Sequence, residues 1–176
     1  MLKTIIETKR IILRQFVLDD APAVLEFGSN PEVNRYTGDL MIHQLEEAQK
    51  IITDTWFEDY RKYGYGRFAM VHKEDNRVIG FAGLKYEPEL EATDIGYRIL
   101  PEYWGQGLTS EVVIPILRYG FEDLGLKRII GLVMLENPAS SRVLEKSGLK
   151  FYKKAPYPGE PTIVNWYAID REKFNP

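Results

Sequence analysis

The chain contains no cysteine. Disulfides, thiolate metal sites and a cysteine nucleophile are therefore excluded. Histidine is nearly as scarce. His43 and His72 stand far apart without a ligand-like spacing, so no metal site is expected, and both read as surface residues. No apolar run approaches the roughly 20 residues of a membrane span, so no membrane partner is expected. The opening residues Met1 to Glu7 lack the long apolar core of a signal peptide, which makes a cytoplasmic location the default expectation. Neither sign of charge dominates. A net charge of −3 lacks the basic excess that nucleic-acid binding requires, so no nucleic-acid partner is expected. Internal repeats and low-complexity segments are also missing.

What is present is an ordinary globular composition, 44% hydrophobic and 28% charged over 176 residues, which fits one domain over residues 1–176. Residues 10–16, rich in Ile and Leu, read as a buried strand. Asp19-Asp20 opens a helix running to about Gly28, and Asn30-Pro31 begins a short helical piece. Residues 44–63 carry the clearest helical spacing, with Leu45, Ala48, Ile52, Trp56, Tyr60 and Tyr63 on one side. Residues 68–71, 78–85 and 93–100 form a meander whose first turn is Glu74-Asp75-Asn76. An amphipathic helix containing Pro115 follows, then a strand over 128–135, a helix over 138–147, and strands over 148–153 and 162–169. This order predicts an α+β (mixed α/β) fold, with about seven strands in a mixed sheet and helices on its faces.

The most informative stretch is Pro101-Glu102-Tyr103-Trp104-Gly105-Gln106-Gly107-Leu108-Thr109-Ser110-Glu111. A strand leads into it and a helix leads out. Two glycines in such a turn let the backbone crowd against a ligand. The new helix adds unpaired N–H groups and the positive end of its dipole, a combination that suits phosphate.

The block Asp94-Ile95-Gly96-Tyr97-Arg98-Ile99-Leu100, with the turn after it, resembles the cofactor segment of the Gcn5-related N-acetyltransferases. Asn137-Pro138-Ala139-Ser140-Ser141-Arg142-Val143-Leu144 resembles that family's second motif. The opening Thr8-Lys9-Arg10-Ile11-Ile12-Leu13-Arg14 is similar to the start of its ribosomal-protein N-terminal acetyltransferase (RimJ/RimL-like) branch. The resemblance covers a core of about residues 8–170. It implies the acyl-CoA N-acyltransferase (GNAT) fold, a mostly antiparallel twisted sheet, and acetyl transfer from acetyl-CoA to an amine acceptor. It implies that the backbone at Gly105, Gln106, Gly107, Leu108, Thr109 and Ser110 holds the pyrophosphate. Ile99 and Leu100 would pair with the pantetheine amides, the strand over 128–135 would splay away to admit the thioester, Asn137 would bond the pantetheine arm, and Ser140 would lie close by. A homodimer is expected on the same ground. Two family roles do not carry over. The position of a general-acid Tyr is Leu144, and that of a strand Glu is Leu132.

Direct attack by an amine on a thioester needs no enzyme nucleophile, so the lack of cysteine is no obstacle. Neutralising a lysine amine at pH 7 costs roughly 4.6 kcal/mol, against roughly 1 for an α-amine. A chain without an evident strong base therefore fits an α-amine better, and a protein N-terminus is the leading acceptor. Asp94 is the remaining candidate base, acting through a water or by attracting the ammonium; it also reads as the residue closing a turn. The run Glu87, Glu89, Glu91 reads as a solvated loop or an amine entrance. Tyr36 and Tyr97 are candidate acceptor contacts; like Trp56 and Tyr103 they also suit core packing. Asn137 before Pro138 reads equally as a helix cap, and Arg98 reads as a ligand contact or a surface residue. Two other functions stay open: a small-molecule amine acetyltransferase (polyamine, amino acid or drug), and a non-catalytic acyl-CoA-binding module.

Overall fold

A computed structural model describes residues 3–175. One sheet of eight strands forms its centre, in the order β1-β2-β3-β4-β5-β6-β8-β7. The strands are β1 (Thr4–Glu7), β2 (Ile11–Arg14), β3 (Arg67–His72), β4 (Arg77–Glu87), β5 (Ala92–Ile99), β6 (Arg128–Met134), β7 (Lys150–Pro156) and β8 (Ile163–Asp170). All neighbours pair antiparallel except β5 and β6. The strand β1 is one more than the expected seven. Its four residues carry no usable alternation, and it exists because β2 offers it an edge, pairing Glu7 with Ile12.

The helices are α1 (Ala21–Gly28), α2 (Pro31–Asn34), α3 (Leu45–Lys50), α4 (Glu58–Tyr63), α5 (Leu108–Arg118) and α6 (Pro138–Lys146). A wider π-type stretch, Ile51–Phe57, joins α3 to α4, so the helix expected over 44–63 runs through as one rod of uneven pitch. Another, Tyr119–Asp123, follows α5. Asn30 caps α2 by accepting from the N–H groups of Glu32 and Val33. Asp20 joins β2 to α1: buried, it takes both nitrogens of the Arg14 fork at 2.7 and 2.8 Å.

The core lies between sheet and helices. Phe16 stacks on Trp56 at 4.0 Å, and Trp56 meets Phe81 edge-on at 5.9 Å. From α5, Leu108, Val112, Val113, Ile116 and Leu117 are all buried, the spacing of a helix pressed on a sheet.

Candidate active site

The chain leaves β5 through one 3-10 turn, Pro101–Tyr103. Tyr103 is buried, and its hydroxyl donates to Asp75 Oδ2 at 2.7 Å. His72 Nδ1 meets the same oxygen at 2.7 Å, with its ring edge-on to Tyr103. These two contacts hold the Asp75 carboxyl below the usual carboxylate range. His72 is therefore buried, contrary to the surface position expected of it. Its strand turns it inward, and Asp75, on the hairpin turn that follows, supplies the partner that makes burial tolerable. His43 is exposed.

Gly105 and Gly107 both take left-handed backbone angles, with φ of 72° and 74°. Any other residue there costs about 1–2 kcal/mol. A Cβ on Gly105 would meet nothing within 4 Å, and one on Gly107 only Arg10 Nη2 at 3.9 Å, so the turn faces open space. Gly107 is the N-cap of α5, which begins at Leu108. The first intrahelical bond runs from Glu111 N–H to the Gly107 carbonyl at 3.0 Å. The N–H groups of Leu108, Thr109 and Ser110 thus have no acceptor within the helix. This is an anion cradle of two left-handed glycines and three free donors at a helix start. Its chemistry suits a pyrophosphate.

The opening motif braces this turn. Glu111 Oε1 accepts from the Thr8 hydroxyl at 2.7 Å and from Arg10 N–H at 2.8 Å, while Oε2 pairs with Arg10 Nε at 2.7 Å. Arg10 Nη1 also donates to the Gln106 carbonyl at 2.9 Å.

The strands β5 and β6 run parallel and pair only at Thr93–Ile129 and Asp94–Ile130. Beyond Asp94 they part, as the resemblance implied. Leu100 N–H donates to the Ile79 carbonyl on β4, and the β4–β5 register has no shift. Alternation therefore turns the backbone groups of Ile95, Tyr97 and Ile99 toward β6; Ile95 N–H lies at the last paired step, and Tyr97 and Ile99 face the gap. The Ile99 carbonyl already accepts from Trp104 Nε1 at 2.9 Å. Of the pair expected to meet pantetheine, Ile99 offers its N–H to the gap, while Leu100 directs its N–H to the sheet.

The helix α6 walls one side. Asn137 Oδ1 accepts from Ser140 N–H at 3.2 Å, so Asn137 is its cap. Asn137 Nδ2 has no protein acceptor among the described residues. Tyr97 reaches across from β5: its hydroxyl donates to the Ser140 carbonyl at 3.2 Å and accepts from Ser140 Oγ at 3.3 Å. Burial pushes this phenol up to about 12. Leu144 is buried in the core, where a Cβ added to Gly131 would crowd it at 2.7 Å.

Asp94 sits where the strands part, on the sheet face opposite Ile95 and Tyr97. Its carboxylate is buried and pairs with Arg67 through Oδ2 at 2.6 Å. Its Oδ1 is buried with no partner. Burial pushes the carboxyl up to about 6, against the lowering effect of the Arg67 guanidinium. Sequence reading did not find Arg67, which lies 27 residues away in the chain and meets Asp94 only through sheet register. Glu87 is half-buried and Glu89 exposed, and the Tyr157 hydroxyl lies 3.4 Å from each.

Tyr36 is half-buried after α2, with Arg35 over its ring at 5.2 Å. Trp56 and Tyr103 are core residues. Arg98 donates to Asn34 Oδ1 at 3.0 Å and pairs with Asp39. A Cβ on Gly38 would lie 3.5 Å from Met134 Cε at the end of β6. The loop after α2 is thus tied to β5 by Arg98 and passes near the end of β6.

A pair of parallel strands thus parts beside a glycine turn and a capped helix, and comparison with known proteins gives the family. The family model for the acetyltransferase (GNAT) domain matches residues 10–150. The chain belongs to the GNAT acetyltransferase family. It is 37% identical over 170 residues to YoaA, an uncharacterised N-acetyltransferase of Bacillus subtilis (strain 168), covering 94% of this chain and 96% of that protein. It is 38% identical over 142 residues to the FsC-acetyl coenzyme A-N(2)-transacetylase of Aspergillus fumigatus, covering 73% of this chain and 60% of the fungal protein. Its fold matches that of RimL, a ribosomal L7/L12 alpha-N-protein acetyltransferase solved with coenzyme A, with a TM-score of 0.81 over 96% of this chain and 98% of that one, at 19% identity. The protein is an acetyl-CoA-dependent N-acetyltransferase. Among the described residues no helix is long and apolar enough to cross a membrane. No group of three or more metal-ligating side chains occurs among them.

Proposed function

We propose that this enzyme acetylates a primary α-amine, with a protein N-terminus as the leading acceptor, in the manner of the RimJ/RimL-like branch. The observation that carries this reading is the poverty of bases at the gap. Leu144 and Leu132 occupy the two positions where relatives place an acid or base, and Asp94 is the carboxylate at the point of parting. Even raised to about 6 by burial, it stays a far weaker base than a lysine amine, so it suits an amine that is already easy to deprotonate. The likeness to RimL in fold supports the same reading.

Acetyl-CoA supplies the thioester. Gly105, Gln106, Gly107, Leu108, Thr109 and Ser110 hold its pyrophosphate through backbone N–H groups. Ile99 with Leu100, Asn137 and Ser140 line the path of the pantetheine arm. The N–H group of Tyr97, beyond the last paired residues, faces the gap and is placed to polarise the thioester carbonyl. Asp94 Oδ1 receives one proton from the ammonium, directly or through a water. The neutral amine attacks the acyl carbon, the C–N bond forms, the C–S bond breaks, and the thiolate takes up the proton the nitrogen then releases. Tyr36, on the loop after α2, is the proposed acceptor contact. The reading takes the enzyme to be cytoplasmic and a homodimer.

The test is thiol release with two peptide sets, one with a free N-terminus and no lysine, the other N-terminally blocked with a free lysine. Turnover of the first alone is expected. Turnover of only small amines in a parallel panel would instead favour a small-molecule acceptor, the reading that the fungal relative's name supports. Tight acetyl-CoA binding without turnover of any amine would favour a non-catalytic module.

A further inference from the structure

Arg67, Gly83 and Gly96 lie side by side across three strands, in the register Arg67–Gly83 and Gly83–Gly96. No side chain therefore stands between β3 and β5 in that row. The Arg67 side chain extends along it. Its Nη1 donates to the Gly83 carbonyl at 2.6 Å and to the Asp94 carbonyl at 3.2 Å, and its Nη2 donates to Asp94 Oδ2 at 2.6 Å. A Cβ on Gly96 would collide with the guanidinium. The two glycines thus make a lane for one arginine, and the lane ends where β5 and β6 part.

A structural ion pair would be expected to satisfy both carboxylate oxygens with the two-pronged fork. Here the fork is divided. One prong is fixed on backbone carbonyls and the other on Oδ2, and Oδ1 is left buried and unpartnered. Both side chains are nearly closed to solvent, with 11% and 12% exposure. An unmatched oxygen in such a place is costly unless something else meets it in use.

We infer that Arg67 is a positioning residue for Asp94: it fixes the carboxylate through Oδ2 and keeps Oδ1 ionised and turned to the acceptor's ammonium. This rests on the reading of Asp94 as the proton acceptor. Asp94 is also faced by other charged groups. On β4, Lys85 pairs with Glu87 at 3.0 Å; on α4, Asp59 has a buried, unpartnered Oδ2 and is itself pushed up by burial. Glu87 opposes ionisation of Asp94 and Lys85 favours it, so Arg67, the direct partner, is the main group that keeps the carboxylate charged.

The experiment is kcat against pH for the wild type, Asp94→Asn, Arg67→Gln, Arg67→Lys and the double variant Asp94→Asn/Arg67→Gln. Asp94→Asn should remove one acid-side limb of the profile. Arg67→Gln, which can still donate to the Gly83 carbonyl, should move that limb upward by about one to three pH units. Arg67→Lys keeps the charge and should move it less; it also serves as the second variant if Arg67→Gln does not fold. In the double variant the Arg67 change should alter no limb. If Asp94→Asn keeps every limb, the base reading itself fails. If Asp94→Asn removes the limb but both Arg67 variants lower kcat equally at all pH values without moving it, Arg67 is only a strut and this inference is overturned.

Discussion

Asn137 carries two tasks that one pair of substitutions separates. Its Oδ1 caps α6 through Ser140 N–H at 3.2 Å, while its Nδ2 is free among the described residues and is proposed to bond the pantetheine arm. Alanine removes both. The lost cap should cost about 1 kcal/mol of stability. The lost ligand bond should cost about 1 kcal/mol of binding, roughly a fivefold to tenfold weaker acetyl-CoA Kd. Serine is as good a cap as asparagine but has no amide to donate. Asn137→Ser should therefore keep the wild-type unfolding midpoint and still show the weaker Kd. Urea unfolding and calorimetric titration with acetyl-CoA measure the two quantities independently. If Asn137→Ser bound acetyl-CoA as tightly as the wild type, Asn137 would be a cap and nothing more. If Asn137→Ala unfolded at the wild-type midpoint, the cap argument would be wrong instead.

Gly107→Val places a β-branched residue at a φ of 74°, which should cost about 1–2 kcal/mol and abolish acetyl-CoA binding by filling the cradle; retained binding would refute the cradle. Asp94→Asn should lower kcat while leaving acetyl-CoA affinity near normal. Asp94 also predicts a stability trend with pH. Its carboxyl rises from 3.8 to about 6 on folding, so its contribution is greatest below pH 3.8 and is lost as the pH climbs through about 6. The loss is on the order of 3 kcal/mol. The wild type minus Asp94→Asn difference in urea should follow that window, and a flat difference would contradict it. Tyr97→Phe removes the strut from β5 to Ser140 and should cost about 1 kcal/mol of stability. It should also weaken acetyl-CoA binding more than it raises the acceptor KM; the opposite order would place Tyr97 at the acceptor.

What the amino-acid order settled by itself was local. Two glycines one residue apart are legible as a left-handed turn because the conformation belongs to the residues themselves. Asn137 before Pro138 is legible as a cap for the same reason, and the hairpin at Asp75-Asn76 likewise. Helices and strands with a clear period were read to within a few residues, whereas β1, too short for a period, was missed. Tertiary structure decided everything that depends on which strand lies beside which. The burial of His72 required Asp75 and Tyr103 to converge on it, and the strut from Tyr97 required α6 to fold back across β5. The Arg67–Asp94 pair joins residues on strands separated by β4, through a lane made by two glycines whose purpose no local pattern reveals. A sequence states each residue's preferences over a few neighbours. The register of an eight-stranded sheet is settled only when the whole core closes, and that register sets the surroundings of the candidate base.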